Sequence, residues 1–356
     1  MEASWFVNHN NNRWQLNMMP YSSLFINDTN SLDTIVKPII EYFQPKSKLK
    51  DVLSIKNIKD EFEEITSHTF TAIELSNYQL RDEPMLNAKS FLKYQLKNEI
   101  QSHMETDGYL LTINTLVHDL ITTVISELPV KTNDITTDIL IKQLEVDFTT
   151  NKTSVIQQNK LLLRMIKKYV LTKHSNSILI FYLYPELFLS PKEQIDMKEY
   201  LYSLSKELNI FVVTSSPYFI AKDLSGINYI YKSEQLYTEQ FLDDLEWESP
   251  LPYEKNELIA SLLNVTKNYI DVLEIKPLIS NYKQADIVVF TSIDLYVVIF
   301  MMKKLKLEYR LEIKKGSIDK PVYDYALDEN CILVILTNYV PRKWCEKELC
   351  YCRHTV

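Results

Sequence analysis

The stretch from Ser177 to Val213 constrains this chain more than any other. Ser177 to Leu183 (SILIFYL) is an almost wholly apolar run, β-branched and aromatic, the pattern of a strand covered on both faces. Ser190-Pro191-Lys192-Glu193 then spells a helix start. Ser190 can cap, Pro191 carries the φ of a first helical position, and Glu193 can close a capping box. Met197, Leu201, Leu204 and Leu208 follow on one helical face. Asn209 is expected at a left-handed helix exit, and Ile210 to Val213 opens a second buried strand. Strand, crossover helix and strand form a βαβ unit, whose strands must be parallel and joined right-handedly. The predicted core is therefore an α/β sheet.

Composition narrows what such a sheet can do. The 356 residues include only three glycines, Gly108, Gly226 and Gly316. A Walker loop, a dinucleotide fingerprint or a kinase glycine loop each needs several residues without Cβ beside phosphate, so none can be built. The net charge of −8 excludes a protein that is basic all over, but not one with local basic faces. The basic residues are 33 Lys and 6 Arg. Lysine neutralises phosphate as a point charge, whereas bidentate base reading favours arginine. An A/T-rich genome would produce the same excess. The opening MEASWFVNHNNNRW lacks the order of a secretion signal, and the apolar stretch 287–302 is cut by Asp294. We therefore expect a cytoplasmic protein without a membrane partner.

Along the chain, Leu24 to Ile26 reads as a strand, and Asn27-Asp28-Thr29-Asn30 stands where a glycine loop would sit. Leu32, Ile35, Val36, Ile39, Ile40 and Phe43 form a helical stripe that Pro38 should kink. Phe70 to Leu75 is a further candidate strand. Residues 85–127 read as a helical hairpin with its turn at Asp107-Gly108. The first arm carries Lys89, Lys93 and Lys97, and the second an a/d-like seam of Leu110, Ile113, Val117, Leu120 and Val124. Such arms either project and meet another subunit or form an ordinary layer of one core.

A short helix is expected over Ile135–Leu144 and a strand over Val146–Phe148. The helix Val155–Leu171 sets an apolar face against Lys160, Arg164, Lys167 and Lys168. No Asp or Glu occurs between Thr149 and Pro185, a run that also holds Lys152 and Lys173, so this is the best candidate phosphate surface. A charged helix face is more often simply solvated. Ile227 to Tyr231 reads as a last strand, and the acid-rich 233–254 as a linker. Beyond it lie a strand at Asp286–Phe290, a helix near Leu295–Leu307, the basic group from Lys303 to Lys315, and a strand at Ile332–Leu336.

No catalytic constellation emerges. The six histidines form no HExxH pair, and so few glycines leave no GxSxG elbow. Cys345, Cys350, Cys352 and His354 crowd into ten terminal residues at no finger spacing, which favours a reduced, non-ligating tail. A binding protein is expected rather than an enzyme.

In order and local wording, the segments resemble the Csn-two family of CRISPR-associated proteins. The match runs through FINDTNSLDTIVKPIIEY, YQLKNEIQSHMETDG, NDITTDILIKQLEVDF, ILIFYLYPELFLSPKEQ and NIFVVTSS, over roughly residues 20–232. The resemblance implies a P-loop-kinase-like, parallel-rich α/β head without nucleotide motifs (1–84 and 135–232) and a projecting helical leg (85–134). The acidic linker (233–254) and a C-terminal α/β extension (255–356) would make this a long form. It further implies a homotetrameric ring whose lysine-lined hole threads double-stranded DNA ends. Such a ring supports spacer acquisition beside the CRISPR integrase complex and effector nuclease, without catalysis. The DNA-binding residues would be Lys142, Lys152, Lys160, Arg164, Lys167 and Lys168. A calcium site at the leg–head junction would use Glu127, Asp134 and Asp138. Pro129 and Asn133 thin that set, and Asp134 is expected to cap the helix beginning near Ile135. Two alternatives stand beside this reading: a degenerate nucleotide-dependent phosphotransferase, and a protein-only scaffold of the adaptation complex.

Overall fold

A computed structural model describes residues 3–10, 12–27, 29–124, 130–148, 153–173, 176–232, 234–314, 316–327 and the strand 331–334. The chain divides into two units, 1–241 and 242–356. The first opens with β1 (Ala3–His9) and β2 (Asn12–Met18), paired from Ala3↔Met18 to His9↔Asn12. Asn10 turns the hairpin in the left-handed region at φ +51°, which asparagine tolerates. Trp5, Val7, Leu16 and Met18 alternate onto one buried face. No strand was expected here, although that alternation and the asparagine-rich turn were the signal.

Next come β3 (Tyr21–Phe25), α1 (Thr29–Ser31), a π-helical stretch Leu32–Val36 and α2 (Lys37–Tyr42). The predicted kinked helix thus forms with a widened turn ahead of Pro38, which has no N–H to donate. β4 (Ser54–Asn57) and β5 (Glu63–Glu64) complete an antiparallel sheet of order β2-β1-β4-β5. Its core aromatic, Trp5, lies 5.8 Å from the Phe43 ring and 5.6 Å from that of Phe70.

The rest of the unit contains β6 (Phe70–Ser76), α3 (Asn77–Asp82), α4 (Phe91–Ser102), α5 (Thr106–Val124), α6 (Thr137–Lys142) and α7 (Val155–Lys173). It continues with β7 (Ser177–Leu183), α8 (Pro191–Leu204), β8 (Asn209–Thr214), β9 (Ile227–Tyr231) and β10 (Glu234–Leu236). The main sheet has the order β10-β9-β3-β8-β7-β6. All its pairs are parallel except β10 with β9.

The predicted βαβ unit is present as β7, α8 and β8. Glu193 Oε2 accepts from Ser190 N at 2.9 Å and from Ser190 Oγ at 2.7 Å. Met197, Leu201 and Leu204 are buried against the sheet, each contributing about 2 kcal/mol of apolar transfer. Asn209 is not a left-handed exit. It begins β8 and donates from Nδ2 to Ile178 O at 3.1 Å.

Gly226 sits where a Cβ would come within 3.0 Å of both Ala221 Cβ and Tyr21 O. The carbonyl belongs to the central strand and cannot yield cheaply. Gly226→Ala should therefore cost roughly 1–3 kcal/mol of unfolding free energy in a urea titration.

The leg differs from expectation in detail. Glu83–Met85 is a 3-10 turn and α4 starts only at Phe91, so Lys89 precedes the helix. The turn between the arms is at 103–105, and Asp107 and Gly108 belong to the first turn of α5. α4 lies against α6 and α7, while α5 buries none of its residues. Asn114 ties the returning chain to α5, accepting from Ile135 N at 2.7 Å and donating to Ile135 O at 3.1 Å. Val146–Phe148 is not a strand, since no sheet edge reaches it; Val146 N instead meets Pro84 O at 3.4 Å.

The division between the units falls within the acidic 233–254, inside α9 (Glu239–Trp247). The second unit continues with α10 (Lys255–Tyr269), β11 (Leu278–Ser280), β12 (Ile287–Val288), α11 (Ser292–Lys304), β13 (Tyr309–Glu312), α12 (Lys320–Leu327) and β14 (Cys331–Val334). These strands form a wholly parallel sheet of order β12-β11-β13-β14. α11 is its central helix, with every residue from Leu295 to Met302 buried. Asp244 and Glu248 of the acidic run pair with Lys304 Nζ at 2.8 and 2.9 Å. The predicted strand at 332–336 begins one residue earlier, and its end lies outside the described residues, as do Cys345, Cys350, Cys352 and His354.

Candidate nucleic-acid interface

In an open parallel sheet, ligands bind beyond the carboxyl ends of the strands. At that edge of the main sheet the polar side chains bond one another. Asn77, at the end of β6, donates from Nδ2 to Pro185 O at 2.9 Å and to Leu187 O at 2.5 Å. Its Oδ1 accepts from the Tyr182 hydroxyl, whose pKa burial pushes well up. Glu186 accepts from Thr214 Oγ1 at 2.9 Å, Ser215 N at 2.8 Å and Ser215 Oγ at 3.0 Å. Ser216 Oγ donates to Gln194 Oε1 at 2.6 Å. These groups are occupied in holding the strand ends together.

The predicted basic helix α7 packs its apolar face inward as expected, burying Ile156, Leu162, Leu163, Ile166, Tyr169 and Val170. Met165 is half-buried and Val155 exposed. Its lysines do have counter-charges, supplied by other elements. Lys160 Nζ meets Asp196 Oδ2 of α8 at 2.7 Å, Lys167 meets Glu207 at 2.5 Å, and Lys168 meets Glu99 of α4 at 2.5 Å. The Lys168 ammonium holds the Glu99 carboxyl below its ordinary range. The acid-free run from 149 to 185 is therefore not acid-free in space. Arg164 is different: it is exposed and, among the described residues, pairs with no acid. Lys152 lies outside the described residues.

A second basic group lies where α4 meets α6. Lys97 Nζ is 2.6 Å from Asp138 Oδ1. That ammonium first, with Lys142 and Lys93 nearby, holds the Asp138 carboxyl below its ordinary range. Lys97 alone is in ion-pair contact with that carboxylate, and Lys142 and Lys93 add weaker attraction to it from farther off. Lys93 and Lys97 were visible as an i,i+4 pair on the first arm; what sequence could not supply was Lys142 arriving beside them from another helix.

Of the calcium set that the family resemblance implied, Asp134 and Asp138 lie among the described residues, and Asp138 is engaged by Lys97. Asp134 does not cap α6. The residue at the N-cap is Thr136, two positions on, because the helix starts at Thr137 rather than near Ile135. Glu127 and Pro129 lie outside the described residues. No group of three or more His, Cys, Asp or Glu is placed to hold a metal ion among the described residues.

The base of α4 is pinned by a buried carboxylate. Glu83 accepts from Ser90 Oγ at 2.8 Å, Phe91 N at 3.2 Å and Leu92 N at 2.8 Å, while Ser90 Oγ accepts from Lys93 N at 3.1 Å. A carboxylate at a helix N-terminus is favoured by the helix dipole as well as by these bonds. Glu83→Ala should cost roughly 2–4 kcal/mol, by leaving buried donors unpaired, and should loosen the α4 amides in hydrogen exchange before the rest of the unit. Uniform protection across α4 in the variant would contradict this role.

No family model matches the sequence, and no characterised protein matches it. Among solved structures, the fold is similar to that of Stu0660 of Streptococcus thermophilus, with a TM-score of 0.55 at 16% sequence identity. The match covers 86% of this chain and 95% of that one. Because 86% of 356 residues exceeds the 241 of the first unit, the likeness extends into the second. MJ1267, an ATP-binding cassette of an ABC transporter in its ADP conformation, covers 70% of this chain at 13% identity, with a TM-score of only 0.33. At that score it carries no argument. No helix among the described residues is long and apolar enough to cross a membrane.

Proposed function

We propose that the chain is a non-catalytic, ring-forming member of the Csn-two family that grips double-stranded DNA ends through phosphate contacts and supports CRISPR spacer acquisition. The observation that carries this reading is the basic group where α4 meets α6, with Lys97 paired to Asp138 and Lys93 and Lys142 adding to the same field, and with Arg164 on α7, which pairs with no acid among the described residues. Lysines on two packed helices offer point charges without the fork geometry that reads bases, so binding is indifferent to sequence and steep in salt. Lys160, Lys167 and Lys168 join only by exchanging a carboxylate for a phosphate, which is feasible because surface pairs contribute about 1 kcal/mol or less.

The order of the segments supports the family assignment, and the likeness to Stu0660 supports the fold alone. Self-association is supported by α5, which carries no lysine or arginine and leaves Ile113, Leu116, Leu120 and Val124 exposed along one stripe. Its proposed partners are further copies of the chain and duplex DNA, with the CRISPR integrase complex and effector nuclease at the site of action. Calcium has no part in this proposal. A degenerate phosphotransferase would need a cradle at the carboxyl edge of the main sheet, where Asn77, Glu186 and Ser216 are already bonded. ATP turnover by the purified chain would revive that alternative.

The direct test is retention of linear against closed-circular duplex on immobilised protein. Linear DNA should be held in dilute buffer and released as salt rises, while closed circles pass through. Equal retention of both forms would remove end-threading.

A further inference from the structure

The second unit has a topological switch point of its own. In its sheet, β11 comes first in the chain yet lies between β12 and β13, so the strand order reverses direction at the β11/β13 boundary. Open α/β sheets bind ligands outside the carboxyl ends of the strands at such a switch point.

The residues gathered there have a consistent chemistry. Ser280, the last residue of β11, is opposite Val288 on one side and Glu312 on the other. Val289 N continues the first pairing, donating to Ser280 O at 3.0 Å. Two residues past these partners stand Tyr282, Phe290 and Lys314. The two aromatics are 42% and 75% exposed, a large apolar area to leave in water beside a polar edge. Behind them the Glu312 carboxylate is nearly buried and accepts from the Tyr282 hydroxyl at 3.2 Å and from Lys283 Nζ. The edge is held in place by Lys314 N donating to Asn281 Oδ1 at 2.9 Å and by an Asn281–Ser317 side-chain bond. Helix α11, thirteen residues long, starts from the same edge.

We propose that this sheet edge binds a nucleoside phosphate. Tyr282 and Phe290 offer faces on which a base stacks, the Glu312 carboxylate accepts from ribose hydroxyls, and Lys283 and Lys314 neutralise phosphate. Lys283 leaves Glu312 for the phosphate when the ligand enters, so the free site is closed by an ion pair that the ligand replaces. The proposal concerns the second unit and stands independently of DNA binding by the first.

The test is calorimetric titration of the full-length chain with AMP, adenosine, ribose 5-phosphate and inorganic phosphate. AMP should bind more tightly than any of the other three. The double variant Tyr282→Ala/Phe290→Ala should weaken AMP at least tenfold with circular dichroism unchanged, and Glu312→Gln should weaken adenosine and AMP but not phosphate. Equal binding of AMP and phosphate, unaffected by loss of the aromatics, would reduce the site to an anion on two lysines and overturn the proposal. Absence of heat with all four probes at millimolar concentration would do the same. Linear-DNA retention measured alongside should not change in these variants.

Discussion

If copies of the chain meet through α5, as proposed, replacing both Leu116 and Leu120 with glutamate should leave it monomeric at concentrations where the unaltered chain assembles. α5 has the composition of a covered helix but buries none of its residues in the single chain. Leu116 and Leu120 are each 63% exposed and lie one helical turn apart, flanked by Ile113 and Val124. Covering each leucine fully contributes about 1.5–3 kcal/mol, and a glutamate in its place adds the cost of desolvating a charge. Two such changes per copy, repeated at each self-contact, exceed the free energy that holds an ordinary interface together. Neither side chain supports the core, so thermal unfolding of the monomer should barely move. Light scattering would read one chain mass, and linear DNA would no longer be retained. If the double variant still assembles and still holds linear DNA, α5 is not the contact between copies.

The second large effect concerns the lysines. Changing Lys93, Lys97 and Lys142 to glutamate should abolish most of the affinity for duplex ends, whatever their sequence. If each lysine neutralises one phosphate, the salt slope falls by roughly 0.9 per lysine. Between about 50 and 200 mM salt, three such contacts account for roughly a 40-fold change per engaged subunit. Asp138→Asn works in the opposite direction. It removes the carboxylate that Lys97 now serves, so the cluster gains net positive charge and binding should tighten a few-fold in low salt. Arg164→Glu alone should weaken binding more than Lys167→Glu, because of the two only Lys167 is already engaged, by Glu207. The reverse order would move the DNA surface onto the α7–α8 ion pairs.

Much of the head could be read from the chain because its signals are local. The apolar runs of β7 and β8 and the capping box at Ser190 each depend on neighbours a few residues away, and all three form as expected. The N-terminal hairpin was equally local, with its strands paired across a turn at Asn10, yet no strand was assigned to it. Errors at α4, α5 and α6 are of a different kind. Helix ends there are set by Glu83 reaching forward to the N-terminus of α4 and by Asn114 holding Ile135, bonds that span 7 to 21 positions.

Charge was the property that sequence described least well. The run from 149 to 185 lacks acids, and 233–254 is crowded with them. In the folded chain the first receives Asp196, Glu207 and Glu99, and the acids of the second receive Lys255 and Lys304. Coulomb energy depends on distance through space, so a linear count of signs cannot tell a free patch from a paired one. Order along the chain was enough to establish a parallel α/β head without a phosphate loop. Which lysines stand together, that Asp138 lies among them, and that Tyr282, Phe290 and Glu312 share one sheet edge were decided only when separate helices and strands packed side by side.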